Sequence, residues 1–221
     1  MTADIRELPR YSKGEEIANS TSHLLGFVFS VATLVIFIVF QIQKSLSFSY
    51  MLPFYVYSFC MMVVFFVSAF YHSSPFHSKK RAVSRIIDHC DIYAFVAATY
   101  FPICVHGMSN QSAAIAIMIV EVVLAVTGIV LNAIPNNCTT LKVISYLIYI
   151  IDGWILIFFY PFGVGLNFNT FLFVLIGGIV YSAGAIIYAI GKKRPWFHTI
   201  FHIFVVLAAI LQFIGIYFII A

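Results

Sequence analysis

Long apolar segments alternate with short polar connections along the whole chain. A helix needs about 20 apolar residues to cross the hydrocarbon core of a bilayer. The pattern therefore predicts an all-α fold, a polytopic integral membrane protein built as a seven-transmembrane helix bundle. We expect a tail at residues 1–22 and one membrane domain at 23–221. The seven apolar segments lie at about 24–42, 51–72, 89–107, 112–132, 141–160, 169–190 and 198–220.

The composition agrees with a bilayer as the solvent. Of 221 residues, 62% are hydrophobic and only 9% are charged, and the mean hydropathy is +1.03. A typical soluble domain is about a quarter charged, so this composition argues against a soluble enzyme and against a nucleic-acid-binding protein. The cysteines are widely spaced without a CxxC motif, which argues against a disulfide framework or a thiolate metal site. They are Cys60, Cys90, Cys104 and Cys138.

The basic residues indicate the orientation in the membrane. If the N-terminus is cytoplasmic, 11 of the 12 lysines and arginines fall in the tail or in connections on the cytoplasmic side. The remaining one, Lys44, falls outside. Positive charge is enriched in cytoplasmic loops, so we expect a cytoplasmic N-terminus and an external C-terminus in the cell membrane.

Most histidines are predicted near the cytoplasmic ends of the spans, and only His106 falls at the opposite end. The sharpest motif is His198-Thr-Ile-Phe-His202, in which the two imidazoles share one helix face one turn apart. Such a pair can bind one zinc ion, and His72 is the best candidate for a third ligand because it is predicted at the same depth. The alternative for the pair is two ordinary histidines at a membrane boundary.

Other polar residues at this depth could support such a site. Ser68 lies one turn before a candidate ligand, and Asp88 could orient or deprotonate a water molecule. The alternatives are a hydroxyl bonded to its own helix and a carboxylate that caps the third span. The motif Glu16-x-x-Asn19-x-x-x-His23 could hold a histidine ligand through its second nitrogen, or could be ordinary polarity at a helix start.

These motifs together resemble the hemolysin III family, the bacterial branch of the progestin and adipoQ receptor superfamily, which is related to the alkaline ceramidases. The resemblance covers nearly the whole chain from about residue 15, with the motifs in the expected order. It rests on the polar motifs above, on the stretch 85–102 and on the last span from Phe197. The eukaryotic receptors carry a longer region before the first span, which this chain lacks.

The resemblance implies a zinc-dependent intramembrane hydrolase that acts on an amide or ester bond of a membrane lipid. His72, His198 and His202 match zinc ligands, with Zn²⁺ as the cofactor, and Ser68 and Asp88 match the hydroxyl and carboxylate of the catalytic site. Glu16, Asn19 and His23 match a motif of less clear role. Two alternatives stay open: a haemolytic, pore-forming protein, and a non-catalytic receptor or regulator of membrane lipid composition with structural zinc. The sequence does not indicate the oligomeric state.

Two acids fall near the middle of predicted spans, where charge is costly. Glu121 belongs to the fourth span and Asp152 to the fifth, where the family resemblance leads us to expect an apolar residue. They could form a proton or ion path or a pair that shares a proton. The alternative is a neutral acid that is hydrogen-bonded across adjacent helices.

Overall fold

The computed structural model describes residues 9–134, 139–191 and 194–221. Within these ranges the all-α prediction is confirmed, because the only β contact is an isolated bridge between Met108 and Leu166. Four residues named or counted above lie outside the described residues: Arg6, Cys138, Lys192 and Lys193. The helices are α1 (Lys13–Gln43), α2 (Phe48–Ser73), α3 (Lys79–Pro102), α4 (Gln111–Ala133), α5 (Thr139–Phe159), α6 (Phe168–Gly191) and α7 (Phe197–Ile220).

Five of these helices, α1, α2, α4, α6 and α7, are long and apolar enough to cross a membrane. The apolar part of α5 is shorter, at Leu147–Phe159, and α3 begins with basic residues. Many large apolar side chains are exposed on the outside of the bundle, such as Val28, Phe59 and Ile186, whereas polar groups such as Glu121 are buried inside. This distribution suits lipid rather than water, and the chain is a multi-pass membrane protein. Its orientation and the boundary at residue 22 stay predictions.

Serine residues set the starts of the first three helices. Ser12 and Glu15 form a reciprocal capping box at α1, and the hydroxyls of Ser47 and Ser78 accept backbone N–H bonds at α2 and α3. Two expectations change as a result. The cap of α3 is Ser78, so Asp88 lies inside the helix and is not its N-cap. The first helix begins well before its apolar segment.

The helices pack as a closed ring. Each packs against the next along the chain, α7 packs against α1, and α3 also contacts α5 and α7. Aromatic side chains fill the centre, among them Phe37, Phe54, Tyr57 and Phe65, all fully buried. Because consecutive helices run in opposite directions, α1, α3 and α7 begin at the same end of the bundle and α2 ends there. That end carries the polar motifs of the sequence.

Candidate metal centre

Three histidine side chains meet at the end of the bundle where α1, α3 and α7 begin. Nε2 of His198 lies 3.2 Å from Nε2 of His72 and 2.9 Å from Nε2 of His202. All three ligand atoms lie within 4.8 Å of one another. His72 and His202 are buried, and His198 is partly exposed. The convergence joins residues 126 positions apart in the chain.

The start of α7 positions two of these histidines. Trp196 precedes the helix with a positive φ of 68°. Its backbone N–H donates to Oε1 of Glu15 at 2.7 Å. This bond ties the start of α7 to the first turn of α1. His198 and His202 then follow one turn apart on the face that is turned toward α2, as the i, i+4 spacing predicts.

Glu16 sets the orientation of the His72 ring. Its Oε2 lies 2.7 Å from Nδ1 of His72. A carboxylate accepts hydrogen bonds only, so the imidazole donates from Nδ1 and keeps its lone pair on Nε2. That lone pair faces the other two histidines. A carboxylate bonded to the far nitrogen of a histidine is the usual support of a metal ligand.

Arg81 holds the other oxygen of Glu16, a contact that sequence reasoning missed. Its guanidinium donates to Glu16 Oε1 and, at 2.9 Å, to the carbonyl of Ser74. It also lies 4.8 Å from the ring centre of Tyr71. Arg81 is only 2% exposed, although the sequence places it in a run of basic residues that looks solvated. Its position two helical turns before Asp88 was the available signal that it faces inward.

Asn19 and His23 also face the site from α1. The side-chain carbonyl of Asn19 accepts from the hydroxyl of Thr199 at 2.6 Å, and its amide nitrogen lies 3.4 Å from Nδ1 of His72. The ring of His23 packs against that of His202, with 3.8 Å between ring centres. Asn19 and His23 therefore lie in the site region, in contact with residues of α2 and α7.

Asp88 and Ser68 lie beside the three histidines, on α3 and α2. The Asp88 carboxylate faces the hydroxyl of Ser68 and the imidazole of His89, whose Nδ1 lies 3.5 Å away. It also interacts electrostatically with His72 and His198. A carboxylate and a hydroxyl are thus placed next to the triad without belonging to it.

Tyr11 covers the triad from the segment before α1, and no motif pointed to it. Its ring stacks on His198 with 4.7 Å between centres and 14° between planes, and lies 5.8 Å from His72. Burial raises the pKa of the Tyr11 phenol above its ordinary value, so the hydroxyl stays protonated.

The remaining two histidines lie away from the triad: His77 is exposed in the α2–α3 connection, and His106 contacts the carbonyl of Tyr50.

The residues of the triad fit a zinc ion. Two Zn–N bonds of 2.0–2.1 Å at a tetrahedral angle place their nitrogens about 3.3 Å apart, close to the two separations found here. Three imidazoles with a fourth position open are a known catalytic zinc donor set. The far nitrogens of His198 and His202 have no hydrogen-bond partner among the described residues.

The two mid-membrane acids form a separate pair. Glu121 on α4 and Asp152 on α5 face each other and are both fully buried. None of their four oxygens has another protein group as a hydrogen-bond partner at normal bonding geometry within the described ranges, although the two carboxyl groups are close enough to interact with each other. Two carboxylates in contact inside lipid cannot both be ionised, so the geometry suits a pair that shares a proton across two adjacent helices.

We expect the substitution of either acid with Leu to destabilise the bundle by about 1–3 kcal/mol, because the remaining acid loses its partner. Thermal unfolding in detergent measures this effect. The double substitution Glu121→Leu/Asp152→Leu should restore part of the loss, and Glu121→Gln should cost less than Glu121→Leu because an amide still donates. Additive effects of the two single Leu substitutions would contradict the pairing.

Cys60, Cys90 and Cys104 are free thiols in the structure. None of them joins the triad, and the three histidines are the only group of metal-ligating side chains found among the described residues.

The fold and this end of the bundle define a class, a multi-pass helical membrane protein with three convergent histidines. The chain belongs to the haemolysin-III-related family, whose model matches residues 11–213. It is similar to the "Hemolysin-3 homolog" of Bacillus subtilis (strain 168), with 32% identity over 192 residues, or 86% of this chain and 87% of the relative. It is also 32% identical to "Hemolysin-3" of Bacillus cereus over 214 residues, or 96% and 94% of the two chains. The family expected from the motifs is confirmed.

Proposed function

We propose that the protein is a zinc-dependent intramembrane hydrolase that cleaves an amide or ester bond of a membrane lipid. The convergence of three Nε2 atoms at 2.9 and 3.2 Å carries this proposal. Two imidazoles come from one helix and one from another, and a carboxylate already orients one of them. A site built only to hold helices together does not need the further carboxylate of Asp88 and the hydroxyl of Ser68 beside it.

The site end of the bundle is the end where the basic residues are concentrated, which supports a location near the cytoplasmic face of the cell membrane. A substrate that reaches this depth is a lipid, because the outer surface of the helices is apolar. A lipid enters from the side, between helices, and brings its polar linkage to the level of the triad.

The residues around the triad have separate tasks. Zn²⁺, when bound by His72, His198 and His202, supplies Lewis acidity toward water and a carbonyl oxygen. Asp88 accepts a proton from the attacking water and passes it to the leaving nitrogen or oxygen. The Ser68 hydroxyl has a single hydrogen. It donates to the Asp88 carboxylate before the reaction, and to the oxygen on which charge develops once Asp88 has taken up the proton.

Three further residues keep the site in order. Glu16 keeps the Nε2 lone pair of His72 directed at the triad, and Arg81 keeps Glu16 in place. Tyr11 excludes bulk water from the side of His198.

The test compares purified wild-type protein with Asp88→Asn for zinc content and for hydrolysis of two probes, ceramide as a lipid amide and phosphatidylcholine as a lipid ester. We expect zinc to stay at the wild-type level while hydrolysis falls by about 10²–10⁴-fold, the usual contribution of a general base. The matched control is Asp91→Asn, a buried acid three residues further along the same helix.

The outcomes separate the proposal from its alternative. Equal hydrolysis by wild type and Asp88→Asn would contradict the catalytic role. Stoichiometric zinc without hydrolysis of any lipid amide or ester would instead support a receptor or regulator in which the ion is structural.

A further inference from the structure

A groove of about 390 Å³ runs along the outside of the bundle between α2 and α3. Phe66 and Phe70 form one side and Val83 and Ile87 the other, each pair spaced one helical turn apart. These four side chains are between 44% and 54% exposed. Two parallel apolar ridges with a channel between them match the shape and chemistry of an acyl chain.

One end of the groove is basic. Lys79 and Lys80 line it and form the first turn of α3, which begins directly after Ser78. Both lysines are exposed. The N-terminus of a helix attracts anions through its free N–H groups and its dipole, so the helix adds to the effect of the two ammonium groups. The groove is therefore apolar along its length and cationic at one end.

No exposed acid neutralises this end among the described side chains. The acids that face the neighbouring helices are turned inward, Glu16 toward Arg81 and His72, and Asp88 toward Ser68 and His89. All six described acids are buried or half-buried: Glu15, Glu16, Asp88, Asp91, Glu121 and Asp152. The exposed charged side chains among the described residues are all positive. Lys44 lies at the opposite end of the bundle, and the others lie at the end where α1, α3 and α7 begin: Arg10, Lys13, Lys79, Lys80 and Arg194.

We infer that the groove between α2 and α3 binds one anionic phospholipid of the surrounding bilayer. Its phosphate lies against Lys79, Lys80 and the start of α3, and one acyl chain lies between the two apolar ridges. Basic pockets between membrane helices at headgroup level recognise anionic lipids in this way. A zwitterionic lipid fits the apolar part equally well but gains less from the two lysines.

Two residues that line the groove are sequence neighbours of residues near the candidate metal centre. Val67 and Ile87 line it, and in the sequence they precede Ser68 and Asp88, which lie next to the triad. A lipid in the groove thus lies against the helix pair that carries the proposed catalytic carboxylate and hydroxyl. The lipid site stands by itself and does not depend on the proposed hydrolysis.

Native mass spectrometry of the full chain tests this inference in mixed micelles that contain equal amounts of phosphatidylglycerol and phosphatidylcholine. We expect wild type to retain one phosphatidylglycerol, and Lys79→Gln/Lys80→Gln to bind it about 30-fold more weakly. The matched control Lys13→Gln/Arg194→Gln removes the same charge at the same end and should retain the lipid. An equal loss in this control would overturn the groove as the site.

The apolar half of the site needs its own variant. Val83→Trp fills the channel at an exposed position and leaves every charge in place, so it should release the lipid without unfolding the protein. Circular dichroism and elution volume in detergent verify the fold of each variant. Full retention of phosphatidylglycerol by Val83→Trp would overturn the inference. So would a wild-type protein that shows no preference for phosphatidylglycerol over phosphatidylcholine.

Discussion

We expect the purified wild-type protein to hold one zinc ion per chain, and replacement of both His198 and His202 with Ala to reduce that content by at least about tenfold. The reason is geometric, because the substitution removes two of three convergent nitrogens and leaves His72 alone, and a single imidazole does not hold Zn²⁺ in a four-coordinate site. Metal analysis by plasma mass spectrometry after purification in detergent measures this loss.

The matched control is His77→Ala/His106→Ala. It removes the same number of imidazoles, one from the exposed α2–α3 connection and one from the opposite end of the bundle. Zinc should stay at the wild-type level in this variant. Stoichiometric zinc in His198→Ala/His202→Ala would instead show that the ion binds elsewhere, and the proposed hydrolase would lose its basis.

Arg81→Met should weaken zinc binding by about 10–100-fold and lower the free energy of unfolding by about 3 kcal/mol. The first effect follows because Glu16 loses the cation that holds its carboxylate against His72, and groups that orient a metal ligand have this influence on affinity. The second follows because removal of one partner leaves an uncompensated charge in a mostly buried place. Zinc titration of the metal-free protein and thermal unfolding in detergent measure the two effects separately.

Three variants separate positioning from simple loss of stability. Arg81→Met/Glu16→Gln removes both charges, so stability should recover in part while zinc affinity stays weak. Arg81→Lys keeps the charge but not the planar fork that reaches Ser74 and Glu16 at once, so it should rescue affinity only in part. Arg85→Met, one turn further along α3, is the matched control. Wild-type affinity in Arg81→Met would refute the positioning role.

Local patterns in the sequence were enough for much of the architecture. Hydrophobic runs predicted the approximate positions of all seven helices. Five of them are long and apolar enough to cross a membrane, and the number of spans stays a prediction. The His198/His202 pair was readable because i, i+4 positions meet on any helix. Helix starts were less predictable: α1 and α3 begin in polar segments with serine caps, so hydropathy placed both starts too late and made Asp88 look like a cap.

Local patterns did not predict the contacts between segments that are distant in the sequence. Arg81 looked solvated among its basic neighbours, and Tyr11 belongs to no motif, yet one contacts Glu16 and the other stacks on His198. Similarly, the sequence showed that Glu121 and Asp152 are costly in lipid but not that they face each other. Each of these facts depends on the rotation and neighbours of a helix, which hydropathy does not specify.

The sequence by itself thus determined that the protein is embedded in a lipid bilayer, roughly where its helices lie, and which residue types are available for chemistry. The tertiary structure alone decided which atoms meet: that Nε2 of His72 faces the α7 pair, that Glu16 holds its other nitrogen, and that a basic, apolar groove lies between α2 and α3. The physical reason is the distance along the chain over which the interactions act. Helix formation and membrane insertion respond to neighbours within a turn or a span, whereas the candidate metal centre requires side chains from α1, α2, α3 and α7 to pack to within a few ångströms.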